Sequence, residues 1–173
     1  MSTIHNKSIV RRLTSSRMFA SLALLIALLI SGLSPSLVYA NSMVPYQASL
    51  AGKVAITGAA TASLSGVGIA TYLGVTKYSG SVTNITPTPT GMTNDLLETL
   101  TAANGDSLTI SCTEVAVQTS PNVFHGTDHW VVKGGTGRFT GAVGSGTGDT
   151  LIDLNKGVFA KHETGTISAP SRK

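Results

Sequence analysis

The sequence contains few cysteines, few charged residues and few aromatic residues. Cys112 is the single cysteine in 173 residues, so no disulfide can form within the chain. Only 12% of the residues are charged and 5% are aromatic, whereas 42% are hydrophobic. This composition excludes a disordered acidic or basic protein. A hydrophobic core must hold the fold together, and the chain is long enough to build one.

The positive charge of the chain is confined to its N-terminus. The formal net charge is +4, yet four of the twelve Lys and Arg residues fall within the first 17 residues, which contain no acid. The eight that remain equal the number of Asp and Glu residues, so the chain from residue 41 onwards is neutral. Nucleic-acid binding relies on clustered Lys and Arg at the phosphates. We therefore expect no nucleic-acid partner.

The N-terminal region has the pattern of a secretory signal peptide. Basic residues up to Arg17 precede an apolar or small run, Met18–Ile30, and Val38-Tyr39-Ala40 supplies a small-residue cleavage pattern. The run of 13 residues is shorter than the roughly 20 that cross a bilayer. We expect residues 1–40 to form a signal helix that is cleaved near Ala40. Residues 41–173 would then be one extracellular domain without a stable membrane span.

The remainder of the chain is typical of an all-β protein. Short segments of alternating apolar and polar residues, rich in β-branched side chains, recur between turn signals. The clearest turn signals are Asn104-Gly105, Ser120-Pro121-Asn122 and Asn155-Lys156-Gly157. The pattern predicts strands over residues 48–57, 67–73, 75–85, 94–101, 107–117, 123–133, 139–147 and 157–168. Eight consecutive strands suit an antiparallel up-and-down barrel of the calycin-like kind, because closure removes exposed strand edges.

Three local features refine this prediction. Pro87 and Pro89 predict a loop over residues 86–91, because proline cannot donate to a central sheet. Residues 94–103 carry leucines at helical spacing, but their threonines and the following Asn-Gly favour a strand. Cys112 lies in a strand-like segment, which predicts a buried, unreactive thiol.

Glycine is concentrated in one stretch. Seven of the 15 residues from Gly134 to Gly148 are glycine. The stretch lacks both the Gly-Lys-Ser/Thr of a phosphate-binding loop and the helix pattern of a dinucleotide fingerprint. The sequence therefore predicts no cofactor, and we interpret these glycines as structural, serving a tight turn, a bulge and close strand approach.

The same stretch resembles a known barrel family. Residues 134–144, GGTGRFTGAVG, resemble the G-G-[TS]-G-x-F-x-x-A-x-G segment of the allene oxide cyclase and dirigent protein superfamily, including its uncharacterised bacterial secreted barrels. ATYLG at 70–74, AANGD at 102–106 and TGTIS at 164–168 are similar to further segments of those barrels. The resemblance implies an eight-stranded antiparallel barrel with a largely apolar cavity. It implies no activity, because Val143 stands where many dirigent proteins have Arg and residues 48–57 lack the early carboxylate of plant allene oxide cyclases.

His125, Asp128 and His129 form the densest polar cluster. On a strand, His125 and His129 share a face and Asp128 faces the other way. Pairing of the strands at 107–117 and 123–133 would bring Glu114 opposite or close to His125, a pair suited to general acid–base catalysis if it faces a cavity. The alternative is a cross-strand polar pair on the solvent face. No third ligand is secured, so the sequence predicts no metal site.

Glu114, His125 and His129 are thus the candidate catalytic residues, and three functions remain open. The barrel could bind a small apolar or aromatic molecule in its cavity. It could instead be a cyclase or isomerase acting inside that cavity, or a cell-surface structural protein without catalytic activity. Ionisable side chains beside a roomy cavity would favour the enzyme, and an interior filled with Leu, Ile and Phe would favour the structural protein. Relatives of this type often associate through outer barrel faces, so a homo-oligomer also remains open.

Overall fold

The computed structural model describes residues 42–171, which form a closed barrel of eight antiparallel strands. Each strand pairs with the next along the chain, and the last pairs with the first. The strands are β1 (Met43–Gly58), β2 (Thr61–Ala70), β3 (Gly74–Thr88), β4 (Gly91–Ala102), β5 (Ser107–Ser120), β6 (Val123–Thr136), β7 (Gly144–Asp153) and β8 (Val158–Ser168). The predicted all-β, eight-stranded antiparallel up-and-down barrel is confirmed. The predicted signal helix and signal peptide, at residues 1–40, lie outside the described residues.

The turn signals of the sequence mark the hairpins correctly. Asn104-Gly105 joins β4 to β5, with Gly105 at a φ of +86°. Pro121-Asn122 joins β5 to β6, and residues 154–157 join β7 to β8. The segment at 94–103 belongs almost wholly to β4, as predicted. Within residues 42–171, no helix has the length and apolarity to cross a membrane.

Several sequence-based boundaries were wrong. Residues 86–91 are not a loop, because β3 continues to Thr88 and β4 begins at Gly91. Pro87 lies opposite Met92 near the end of the β3–β4 hairpin, just beyond a register shift between Thr83 and Thr86, and proline is tolerated at such a place. The strand predicted at 67–73 is found at residues 61–70, and it ends before Tyr72, which adopts a φ of +66° in the turn that follows.

Another wrong boundary lies in the glycine-rich stretch. A strand was predicted at 139–147, but Gly137–Phe139 forms a single 3₁₀ turn and β7 begins only at Gly144. Gly137 and Gly141 have φ values of +59° and +72°, a left-handed conformation that ends strand pairing and that glycine adopts without strain. The structural interpretation of these glycines is confirmed.

Apolar side chains fill one end of the barrel, which we call the closed end. Trp130 is 1% exposed, donates its indole N–H to the Thr147 carbonyl over 3.0 Å and packs edge-on against Tyr46. A Cβ atom at Gly146 or Gly165 would collide with the Trp130 ring, so these glycines make room for it. The other large apolar side chains buried at this end are Leu100, Leu108, Ile110, Phe139 and Ile167.

Arg138, in the connection between β6 and β7, contacts two other connections at the closed end. Its Nε donates to Asp106 Oδ2 over 2.9 Å, and Nη2 donates to the Tyr72 carbonyl over 2.9 Å. Asp106 lies in the β4–β5 hairpin and Tyr72 in the β2–β3 turn. The closed end is therefore fastened by a charge-assisted contact, and any opening for a ligand must be sought at the opposite end.

Candidate functional site

A layer of charged side chains crosses the barrel interior between its two ends. Lys161 on β8 places Nζ 2.9 Å from Glu98 Oε2 on β4, 2.9 Å from Glu163 Oε1 and 3.4 Å from Asp128 Oδ2. All four side chains are buried. We call these four residues the charged cluster. Burial of so many charged groups requires pairing and hydrogen bonding.

Hydroxyl and thiol groups complete the charged cluster. Tyr78 donates to Glu98 Oε2 over 2.7 Å, and Tyr46 donates to Glu163 Oε2 over 3.3 Å. Cys112 donates its S–H to Glu98 Oε1 over 3.2 Å and lies 3.4 Å from Lys161 Nζ. Burial raises the pKa of the Cys112 thiol well above its ordinary range, so the predicted buried thiol is confirmed and it stays protonated.

The carboxyl groups of the charged cluster differ in protonation. Burial, together with the neighbouring Glu98, raises the pKa of Glu163 to about 8 against the attraction of Lys161. Burial also acts on Glu98, but hydrogen bonds from Glu163 and Lys161 and the charge of Lys161 bring its pKa below the ordinary value. Burial raises the pKa of Asp128. At neutral pH the main ion pair is therefore Lys161 with Glu98, with Glu163 holding a proton.

A cavity of about 50 Å³ lies at the end of the barrel opposite Trp130, which we call the open end. Such a volume admits three or four water molecules or a small chemical group. Its base is polar and contains Asn94, Glu114, Thr150 and Lys161. Its apolar walls include Val54, Leu64, Val82, Ile85, Leu96 and Ile152. An apolar cavity with a few convergent polar groups is the usual form of a small-molecule site.

Glu114 is the acidic group at the base of this cavity. It is 3% exposed, and Asn94 Nδ2 donates to its Oε1 over 3.1 Å. A Cβ atom at Gly126 would come within 2.6 Å of the Glu114 carboxyl carbon, so this carboxyl group fills the space that a glycine on β6 leaves. Burial raises the pKa of Glu114, and hydrogen bonding from Asn94, the charge of Lys161 and the nearby Thr150 hydroxyl oppose the rise.

The structure places the sequence-predicted candidates on both faces of the barrel. Glu114 faces inward, whereas His125 and His129 share the exposed outer face and Asp128 faces inward. The expected Glu114–His125 pair was wrong, because Glu114 lies opposite Asp128 and His125 lies opposite Val117. β5 continues to Ser120 and the turn is only Pro121-Asn122, which shifts the pairing by three residues.

Two outer-face histidines, His125 and His162, have polar partners on neighbouring strands. His125 Nε2 lies 3.7 Å from Asp149 Oδ1 on the neighbouring strand, and both side chains are more than half exposed. His162 Nδ1 lies 3.1 Å from Ser49 Oγ on β1. Neither pair lies inside the barrel, so Glu114 alone of the three candidates reaches the cavity.

Among residues 42–171, one group of buried side chains has the spacing of a metal site. Single ligand atoms of Glu98, Cys112 and Glu163 lie within 4.8 Å of one another. The Lys161 ammonium, however, lies within 2.9–3.4 Å of all three side chains. A metal ion would have to displace this ammonium, so these three side chains form the environment of the Lys161 ammonium.

Sequence reasoning missed the charged cluster, although the alternation of the strands contains a signal for it. Glu98 is in phase with the core residues Leu96 and Leu100, and Lys161 is in phase with Phe159. Because residues two apart on a strand share a face, a charge flanked in this way is expected to point inward. Strand alternation does not show which charges pair with each other, because β4 and β8 are not neighbours in the sheet.

Comparisons of the chain with protein-family models, curated proteins and solved structures give no match. The argument for a function therefore rests on the cavity and on the polar groups at its base.

Proposed function

We propose that this chain is a secreted barrel that binds a small, largely apolar or aromatic molecule in the open-end cavity. The observation that carries the proposal is the apolar wall that surrounds Asn94, Glu114 and Thr150. Apolar walls would exclude water from a ligand, and the few polar groups would orient it. The resemblance of residues 134–144 to cavity-containing barrels and the signal-peptide pattern of residues 1–40 support the same proposal.

The charged cluster argues for a binding site over a purely structural barrel. Replacing a buried ion pair with apolar residues of similar volume often stabilises a protein. A barrel that served only as a rigid unit would gain from such a replacement. Ionisable groups with displaced pKa values beside a cavity are instead typical of functional sites.

A cyclase or isomerase is the second candidate, and Glu114 is the observation that favours it. Burial raises the pKa of this carboxyl group at the cavity base. A carboxyl with a pKa nearer to neutrality can both donate a proton to a bound molecule and remove one from it. In that case Glu114 would be the general acid–base group, and the apolar walls would keep water from a reactive substrate.

Native mass spectrometry and thermal shifts test the binding proposal. We expect protein secreted from cells that express the full chain to retain a small ligand, or to gain thermal stability with members of a panel of apolar and aromatic molecules. Ala62→Phe should abolish the effect, because Ala62 is buried in the cavity wall. Ala51→Phe is the matched control, because Ala51 lies on the exposed face of β1.

The outcomes separate the candidates. A ligand-free mass together with no thermal shift across the panel would overturn the binding proposal. A ligand that is converted by the wild type and bound but not converted by Glu114→Gln would identify the enzyme. Equal responses of Ala62→Phe and Ala51→Phe would place binding outside the cavity.

A further inference from the structure

The barrel interior contains more acidic groups than cationic ones. Between the closed end and the cavity, Glu98, Glu114, Asp128 and Glu163 are all buried, with Lys161 as the one buried ammonium among residues 42–171. Burying a carboxylate without a partner costs on the order of several kcal/mol. The acidic groups that lack a cation must therefore bind protons or obtain a cation from elsewhere.

Lys161 is fully engaged by the charged cluster. Its Nζ hydrogen-bonds both Glu98 oxygens, at 3.0 and 2.9 Å, and the Cys112 sulfur at 3.4 Å. It also lies 2.9 Å from Glu163 Oε1. An ammonium has three N–H donors, so none remains for Glu114. The charge of Lys161 acts on Glu114 from a distance, and no ion pair joins them.

Glu114 therefore lies at the cavity base without a cationic partner. Asn94 is a neutral donor to its carboxylate, and Asp128, which lies opposite Glu114 on β6, adds repulsion. Thr150 provides a second polar atom at the base, since its buried hydroxyl has no hydrogen bond of good geometry. Two oxygen atoms that can accept hydrogen bonds thus border a space of about 50 Å³, which is large enough for a small head group.

We propose that the cavity selects an apolar molecule that carries a primary ammonium group, with the ammonium on Glu114 and Thr150 and the apolar part against the cavity walls. This inference rests on the proposed binding function and names its ligand class. The ammonium supplies the positive charge that the interior lacks, and its N–H groups reach the Glu114 carboxylate and the Thr150 oxygen. Charge-assisted hydrogen bonds of this kind are about twice as strong as neutral ones.

Matched probes test the selection directly. Hexylamine and hexan-1-ol, and likewise benzylamine and benzyl alcohol, differ only in the head group. We expect each amine to bind the wild-type protein at least tenfold more tightly than its alcohol at pH 7.5, measured by calorimetry. Glu114→Gln should reduce amine affinity at least tenfold, whereas Asp149→Asn, which alters an exposed outer-face carboxylate, should not.

The pH dependence in the wild type keeps the inference testable should Glu114→Gln fail to fold. Lys161 and Asp128 are the charged groups that face Glu114. Amine affinity should increase as the pH rises through the raised pKa of Glu114, because the carboxyl group loses its proton while the amine keeps its own. A neutral ligand that accepts a hydrogen bond from protonated Glu114 would show the opposite trend.

The failures of the two proposals are distinguishable. If alcohols and amines bind the wild type equally and Ala62→Phe abolishes both, the cavity binds ligands but the ammonium inference is overturned. If neither class of probe binds and the panel gives no shift, the binding proposal itself fails. Tighter amine binding that Glu114→Gln leaves unchanged would also overturn the inference.

Discussion

The ammonium of Lys161 contacts both carboxylate oxygens of Glu98 across the full width of the barrel. β8 and β4 are four strands apart in a ring of eight, so the two side chains start from opposite walls. The resulting bridge, with Nζ–O distances of 3.0 and 2.9 Å, lies between the apolar closed end and the cavity at the open end. It defines how deeply any molecule can enter.

Lys161→Met should destabilise the protein strongly. The substitution leaves Glu98 buried without its cation, and breaking a buried pair in this way costs about 3–5 kcal/mol. Urea unfolding at pH 7 measures the loss, which should be smaller at pH 5 because Glu98 can then take up a proton. Lys156→Met is the control, since Lys156 is 77% exposed and its removal should have no measurable effect. Equal stability of the two variants would contradict the assigned role of the bridge.

Thermal stability should fall as the pH rises from about 5 to 8. Burial raises the pKa of Glu163 from its ordinary value of 4.5 to about 8, so the folded state holds a proton in this interval that the unfolded state releases. Stability falls with pH wherever the folded state binds more protons. The shift is worth about 3 kcal/mol between pH 5.5 and 8.5, so we expect the Tm at pH 5.5 to exceed that at pH 8.5 by roughly 10 °C.

Glu163→Gln isolates this effect, because the amide mimics the protonated carboxyl group. The variant should lose most of the pH dependence between pH 5.5 and 8.5 in scanning calorimetry. Glu98 has the opposite effect on the pH dependence of stability. Its pKa is lowered in the folded state, so its contribution to the free energy of unfolding is lost as the pH falls below about 4.5. A wild-type Tm that increased between pH 5.5 and 8.5 would contradict the protonation of Glu163.

Gly126→Ala should destabilise the protein through a clash with one side chain. The new Cβ atom would lie within 2.6 Å of the Glu114 carboxyl carbon, and the three nearest heavy atoms all belong to Glu114. Overpacking of this kind costs about 1–3 kcal/mol. In the double variant with Glu114→Ala the clash is removed, so the two losses in free energy of unfolding should be strongly non-additive. Additive losses would mean that the Glu114 carboxyl group does not lie on Gly126.

Cys112 should react with thiol reagents only after the barrel unfolds. The side chain is 1% exposed, and burial raises the pKa of the thiol far above its usual value, whereas the thiolate is the reactive form. Labelling by iodoacetamide, followed by mass spectrometry, should therefore proceed at the rate of unfolding and accelerate in urea. Labelling within minutes under native conditions would contradict the buried position.

The sequence predicted the barrel because local signals determine most of an up-and-down topology. Alternation gave eight strands, and Asn104-Gly105 and Pro121-Asn122 marked two of the hairpins. Predicted strand boundaries were wrong where the backbone adopts a conformation that residue types do not indicate, as at Tyr72 with its positive φ. The predicted register between β5 and β6 was wrong by three residues, because residue types alone do not determine the length of the turn.

The charged cluster could be predicted only in part. Glu98 and Lys161 each share a phase with core residues, which marks them as inward-facing. Their partnership joins residues 63 positions apart on non-adjacent strands, and no local pattern encodes such a contact. The protonation of Glu163 depends in turn on that three-dimensional arrangement of charges.

The placement of Lys161 on the final strand has a consequence for the order in which the molecule assembles. Synthesis proceeds from the N-terminus, so β8 is the last strand of the barrel to emerge, and β1 has no partner on one edge until then. The cation that neutralises Glu98 arrives on the same strand that closes the ring. An incomplete chain must keep its interior carboxylates in water and its sheet open, and closure and neutralisation then occur as a single late event.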